Sequence, residues 1–485
     1  MIDIFTEIIR INGEDELYKL DKACEAIKEG QVVAIPTETV YGLGANAFSS
    51  DSAKKIYEVK GRPSDNPLIV HIAEKQDAKE IASYLPESFY KLADAFWPGP
   101  LTMIVKKSEK IPYTVTAGLD TVGIRMPDNE CTRYLIRKSG CPVAAPSANI
   151  SGTVSATDAK YVYDDFNGKI PYIIDSGSSK IGLESTVINL TLTPPVILRP
   201  GRITLEEIRE YIPDAVYHDS LIEEEEEVIN PASPGMKYKH YSPSCPVVLI
   251  KGGLSTAERY ILDKIEDNEA VLYFSEQKKI AHITPDFCLG SYGSLSKCAE
   301  LVFSHLRAAD KAGYKKIYIT GVPEKGLGLS IMNRLKKSAG ENAVQLRDIV
   351  FVCTGNTCRS PMAEFILKSY NIPDMYVKSR GLDVCCSSGM AFNSQKALKD
   401  NDIPFSDFHS SQLTYGDVAD ADKVYTMTDS QRRIIISAFP EFKDKILTLK
   451  ENSDIADPYM HSMDFYQVTF DEIRAAIEKR FKDEL

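Results

Sequence analysis

Residues 216 to 245 interrupt the chain with a stretch that reads as neither helix nor strand. Five consecutive glutamates, Glu223–Glu227, precede Pro231, Pro234, Gly235, Pro243 and, just beyond, Pro246. Like charges repel along such a run and prolines withhold backbone donors, so it reads as a solvated linker. The rest of the chain must fold on either side of it. At 485 residues, against a usual ~100–200 per domain, two to four domains are expected, each able to bury its own core. The expected division is 1–215, the linker 216–245, a small domain 246–346 and a last domain 347–485.

From about residue 17 to 215, helix-like and strand-like segments alternate. Leu17 to Lys28 has helical spacing and stops at Gly30. Val32–Ile35, Leu68–Ile72, Leu101–Val105, Val143–Ala145, Tyr172–Asp175 and Thr186–Leu190 read as short strands. Polar residues follow just past their ends, where α/β and α+β folds build sites. Beyond the linker, strands at Val247–Ile250, Val271–Phe274 and Lys316–Ile319 and a helix at Ser296–Ala312 suggest a small Rossmann-like α/β domain. The last domain opens with a strand, a loop and a helix at Met362–Tyr370. The expected fold class is α/β throughout: a twisted-sheet domain, a linker, the small domain, and a doubly wound parallel sheet.

In the first domain, turn-formers recur beside hydroxyls, amides and cations. Pro36-Thr37-Glu38-Thr39-Val40-Tyr41-Gly42-Leu43-Gly44 is read as a turn that presents donors to a small polar ligand. It is followed by Lys60-Gly61-Arg62-Pro63, Asn66 to His71, Pro98 to Thr102, Gly123-Ile124-Arg125, Ser147-Ala148-Asn149, Glu184 to Val187 and Arg199-Pro200-Gly201-Arg202. Any one of these is an ordinary loop, but four cations in such turns of one acidic chain suggest a cleft for a nucleotide triphosphate or similar anion. No Gly-x-x-x-x-Gly-Lys-Ser/Thr loop is present, which argues against a P-loop fold. The net charge of −12 argues against a chain whose main task is holding a polyanion.

The order PTETVYGLG, KGR, NPLIVH, PGPLT, GIRMP, SAN, ESTV and RPG resembles the threonylcarbamoyl-AMP synthase family over roughly residues 15 to 210. SPGMKYKHYSP resembles the linker of its two-domain branch, and Lys325 to Leu335 its C-terminal domain. The resemblance implies that L-threonine, bicarbonate and ATP become threonylcarbamoyl-adenylate and pyrophosphate, the donor for threonylcarbamoyladenosine in tRNA. The tRNA itself would be met through other modification proteins. By the same resemblance Thr39, His71, Arg125, Ala145 and Ser185 line the threonine pocket, with Arg125 on the carboxylate. Arg62, Asn66, Thr121, Ser147, Ser155 and Arg199 would hold ATP, with Lys60 near the phosphates and Mg²⁺ arriving with the nucleotide. No resident metal site is expected. His240 and Tyr241 suggest a linker that closes over the cleft, a plain spacer being the alternative. A nucleotide- or RNA-binding module without catalysis also stays open for this part.

The last domain carries a different chemistry. Cys353-Thr354-Gly355-Asn356-Thr357-Cys358-Arg359-Ser360 follows the apolar run Ile349–Val352 and leads into a helix. A cysteine is a useful nucleophile as thiolate, so it needs cationic or dipolar help. Backbone N–H groups wrapped by such a loop, and the helix N-terminus behind it, supply that help. Arg359 can grip two phosphoryl oxygens and Ser360 can donate to the sulfur. Asp457, in Asp457-Pro458, is the candidate acid for the leaving group.

CTGNTCRSP resembles the low-molecular-weight protein-tyrosine-phosphatase family over about residues 348 to 485. The resemblance implies Cys353 as nucleophile, Arg359 as clamp, Asp457 as acid and Asn356 as a loop-shaping residue. Thr357 replaces the branched apolar residue usual in tyrosine-specific members and points to phospho-arginine on a protein substrate, because a hydroxyl can hydrogen-bond a guanidinium. A tyrosine phosphatase remains the alternative, and Cys385-Cys386 keep an arsenate reductase open. Cys358 is either a redox partner of Cys353 or a packing residue. Met460 stands where a glycine is often found. Ten cysteines without regular spacing suggest reduced thiols. With no apolar run of ~18 residues and no basic N-terminus leading into an apolar core, neither membrane contact nor secretion is expected, and the compartment reads as cytoplasmic.

Overall fold

The computed structural model of the chain describes residues 4–221, 241–451 and 453–484. The glutamate run and His240 lie outside them. The chain divides into two compact units: Met1–Leu249 with Glu266–Ala343, and Ile250–Ile265 with Val344–Leu485. No helix among the described residues is long and apolar enough to cross a membrane.

The first unit is built on a mixed sheet. From one edge its strands run Glu7–Arg10, Tyr172–Asp175, Val33–Ile35, Gly42–Asn46, Val143–Ala145, Ile69–His71, Thr121–Arg125, Leu101–Lys107, Thr186–Asn189, Val196–Arg199 and Val216–Tyr217. Both faces are covered, and the chain alternates between them as a strand must. Val33, Ile35 and Val143 enter one apolar cluster, with the helices Asp21–Lys28 and Glu130–Ser139, while Ala34, Leu43 and Ala144 enter another. Gly42-Leu43-Gly44 is therefore strand, not the expected turn. Gly44 is small because its neighbours fill the space: a Cβ there would stand 2.7 Å from Val143 Cγ1. Gly123 to Arg125 is also strand rather than turn.

This unit also holds the helix Ser296–Lys311, whose Cys298, Val302, Phe303, Leu306 and Ala309 are buried at helical spacing. The strands Ala270–Leu272 and Ile317–Thr320 pair in parallel, and Gly326-Leu327-Gly328 opens the helix Leu327–Ala339.

The second unit has a parallel sheet ordered Met375–Gly381, Arg347–Cys353, Lys423–Thr426, Ile446–Thr448. The chain leaves its first strand at the point where the order reverses, so Cys353 sits where doubly wound folds place ligands. Ile349 and Phe351 pack to one side, Val350 and Val352 to the other. The helix Leu254–Lys264, inside the stretch expected as one small domain, belongs to this unit. Thr256 Oγ1 donates to Asp348 Oδ1 at 2.5 Å, and Ser255 to Asp420 at 2.9 Å.

Candidate active sites

A helix end brings two cations to the first cleft. Ser49 caps the helix Ser50–Lys60, and Gly61, at φ 63°, reverses the chain in the left-handed region that glycine tolerates. Lys60 is thereby buried on one side of the turn and Arg62 on the other. The Lys60 ammonium donates to Ser147 O at 2.7 Å, Asn149 O at 2.6 Å and Asn149 Oδ1 at 3.0 Å. Burial holds its pKa well below the usual lysine value. With three acceptors on one loop, Lys60 fixes the backbone that carries Ser147. Arg62 Nε and Nη2 are buried without hydrogen-bond partners.

Strand register places His71 directly opposite Arg125. Burial, then the Arg125 cation, pushes His71 down to about 3, so the ring is neutral. Arg125 Nη1 donates to Thr39 Oγ1 at 2.9 Å, and Nη2 forms a buried ion pair with Glu38 at 2.7 Å. Arg199 donates to Ser185 O and Oγ, each at 3.1 Å. Thr39, Lys60, Arg62, His71, Arg125, Ala145, Ser147, Ser155, Ser185, Arg199 and Tyr241 line one cleft. Tyr241 stacks on Phe303, ring centroids 5.3 Å apart.

Asn66 and Thr121 are not among the lining residues. Asn66 is wholly buried, its side-chain atoms without hydrogen-bond partners. Thr121 opens the strand that Arg125 ends, roughly 13 Å away at ~3.3 Å per residue, and lines a separate small cavity with Thr102 and Gly123. Glu38 and Glu184 carried no assigned role from the sequence. Glu38 pairs with Arg125 and Glu184 lines the cleft.

In the second unit the loop from Cys353 closes around the sulfur. Cys353 Sγ accepts from Asn356 N at 3.3 Å and from Ser360 Oγ at 3.0 Å. Asn356, at φ 56°, is wholly buried. Its Nδ2 donates to Ser360 and Ser379 Oγ at 3.0 Å, and its Oδ1 accepts from Ser411 N at 2.8 Å. The helix Arg359–Ser369 starts behind the loop. Arg359 Nη1 donates to Ile455 O at 3.2 Å and Nη2 meets Asp457 Oδ2 at 2.6 Å. Cys353, Thr354, Gly355, Thr357, Cys358, Arg359 and Asp457 line one pocket, with Asp383, Cys385, Cys386 and Tyr459 at its wall. Asn356 and Ser360 are wholly buried and are not among its lining residues. Cys358 Sγ contacts the Tyr466 hydroxyl at 3.3 Å, and all ten cysteines are free thiols. Met460 takes φ 64°, a glycine conformation without a glycine.

The first cleft suits an anion beside a small zwitterion; the second pocket suits attack on a phosphoryl group. A family profile described as telomere recombination matches residues 25–201. One for the threonylcarbamoyl-AMP synthase C-terminal domain matches 203–340, and one for low molecular weight phosphotyrosine protein phosphatase matches 348–484. The threonylcarbamoyl-AMP synthase of Pyrococcus abyssi is 45% identical over 349 residues, 70% of this chain and 100% of that one. That of Bacillus subtilis is 42% identical over 342 residues, 69% and 98% of the two chains. A crystal structure of the P. abyssi protein complexed with L-threonine is 44% identical with a TM-score of 0.66, over 70% of this chain and 100% of that one. An arginine phosphatase from Geobacillus stearothermophilus is 36% identical over 28% of this chain and 92% of its own, with a TM-score of 0.28. The chain therefore belongs to the threonylcarbamoyl-AMP synthase family and continues into a domain of the low-molecular-weight phosphatase family.

Proposed function

We propose that the first cleft joins L-threonine, bicarbonate and ATP into threonylcarbamoyl-adenylate for tRNA modification. The supporting observation is the pairing of two environments in one cleft. Arg125, His71, Thr39 and Ser185 offer a cation, a neutral ring and two hydroxyls to an amino acid. Arg62 lines the same cleft with two buried N–H groups that have no hydrogen-bond partner, a donor set suited to an anion. No lining residue is placed as a covalent nucleophile, so positioning and charge stabilisation carry the reaction as the threonine carbamate attacks the α-phosphate. Among the described residues Glu184 is the one carboxylate lining the cleft, and Ser155 and Arg334 engage its oxygens. That does not fit a resident metal, and Mg²⁺ travels with the triphosphate. Pyrophosphate release that needs both threonine and ATP tests this reading; release without threonine contradicts it.

The second pocket, in this reading, hydrolyses phospho-arginine on proteins. The Cys353 thiolate attacks phosphorus, the P–N bond breaks, and Asp457 protonates the departing guanidine nitrogen. Water then releases phosphate from the phospho-cysteine. Thr357 carries the choice of substrate: it lines the pocket with Cys353, its hydroxyl 3.6 Å from Cys358 Sγ, and Asp383 in the same lining offers a carboxylate to a cationic group. Tyr459 is the one aromatic side chain lining the pocket among the described residues, which gives a phenyl ring little to stack on. Cys385 and Cys386 border the same pocket and support arsenate reduction as a second reading. Side-by-side turnover of phospho-arginine peptide, phospho-tyrosine peptide and arsenate with a thiol reductant separates the three.

A further inference from the structure

The helix Leu327–Ala339 is distant in sequence from the synthase cleft, yet two of its side chains support the cleft's floor. Ser330 and Arg334 are four residues apart and share a face. Ser330 Oγ donates to Gly201 O at 2.7 Å. Arg334 Nη1 donates to Pro200 O at 2.5 Å and Nε to Glu184 Oε2 at 3.2 Å. Arg334 is 1% exposed, and its guanidinium lies 6.0 Å from the centre of the Tyr241 ring. Glu184 Oε1 accepts from Ser155 Oγ at 2.7 Å. The segment so held has little freedom: a Cβ on Gly201 would come within 2.3 Å of Thr186 N.

The charges explain why an arginine stands there. A carboxylate as buried as Glu184 is costly unless a cation faces it. Burial pushes Glu184 up, but Arg334, then Arg199, then the Ser155 hydroxyl outweigh it and hold its pKa below the usual carboxylate value. Without Arg334, Glu184 would draw more strongly on Arg199, which rests on Ser185, and on Ser155.

We propose that Arg334 is a positioning residue of the synthase, neutralising Glu184 so that Ser155 and Arg199 keep the orientations in which they meet the phosphates of ATP. The proposal rests on the assignment of ATP to this side of the cleft. It also gives the synthase's C-terminal domain a part in catalysis beyond packing.

Calorimetric titration of ATP with Mg²⁺, and separately of L-threonine, into the full-length chain tests it. Arg334→Met is expected to weaken ATP binding about tenfold or more and threonine binding less than twofold. Adding Glu184→Gln to Arg334→Met is expected to bring ATP affinity back to within about threefold of the parent, because the buried charge that would pull on Arg199 and Ser155 is gone. Arg334→Lys, which keeps the charge, should lie between. A double variant no better than Arg334→Met, or equal losses for both ligands, would make Arg334 a structural staple and overturn the proposal. Should Arg334→Met fail to fold, the double variant and Arg334→Lys carry the same comparison. An ATP affinity unchanged by Arg62→Ala would instead remove the ATP assignment itself.

Discussion

Arg359 Nη2 and Asp457 Oδ2 lie 2.6 Å apart, so the phosphate clamp and the candidate acid hold each other. Arg359 is buried while the Asp457 side chain is 53% exposed, which makes the carboxylate the mobile partner. In the proposed reaction a phosphoryl group entering the pocket takes that carboxylate's place on the guanidinium, and Asp457, released and protonated from solvent, turns toward the leaving group.

Two effects of Asp457→Asn should separate. Loss of the acid lowers kcat on a phospho-arginine peptide by about 10²-fold or more, within the usual range for general acid catalysis. Inorganic phosphate should inhibit the variant at lower concentration, because Arg359 has lost a competing anion. Equal losses in turnover and phosphate affinity would show that Asp457 only shapes the site.

Thr357→Ile tests the substrate. The variant should lose phospho-arginine turnover relative to phospho-tyrosine by about tenfold or more, since an isoleucine cannot hydrogen-bond a guanidinium. An unaltered ratio removes Thr357 as the selecting residue.

Met460 stands at φ 64° and is 87% exposed, so it carries backbone strain with little packing in return. Met460→Gly should stabilise the second unit by about 0.5–1 kcal/mol, the left-handed penalty less the extra entropy of a glycine in the unfolded chain. Urea unfolding followed by a probe in that unit measures it, and a loss of stability would contradict the strain.

Burial pushes Asp348 up to about 6 from 3.8, against the Thr256 hydrogen bond and Lys378, with Asp422 and Asp420 adding to the rise. The folded unit thus binds the proton more tightly than the unfolded chain, so this contribution is fully present below pH ~3.8 and lost as pH rises through about 6. Asp348→Asn should therefore stabilise the second unit at pH 8 and give less benefit near pH 4. A benefit independent of pH would show that the carboxyl is already ionised at the lower pH.

How far such features can be read from the chain depends on their range. The Cys353 loop was legible because a strand, a glycine, an arginine and a helix start are neighbours in sequence, and local rules of turn and dipole apply. Gly42 to Gly44 reads as a turn because glycines in a strand look like one, and it is the distant Val143 side chain filling the space that requires Gly44 in a strand. The pairs Glu38 with Arg125 and Glu184 with Arg334 leave no local trace. Each joins residues brought together only by the fold. Asn66 and Thr121 came from resemblance alone, and the cleft's lining does not include them.

One chain is proposed to carry two chemically independent active sites. Both reactions should be assayed side by side on the intact protein, Cys353→Ser and Arg62→Ala. Cys353→Ser is expected to abolish phosphatase turnover and leave pyrophosphate release intact, and Arg62→Ala to do the reverse. Loss of both reactions in either variant would contradict it.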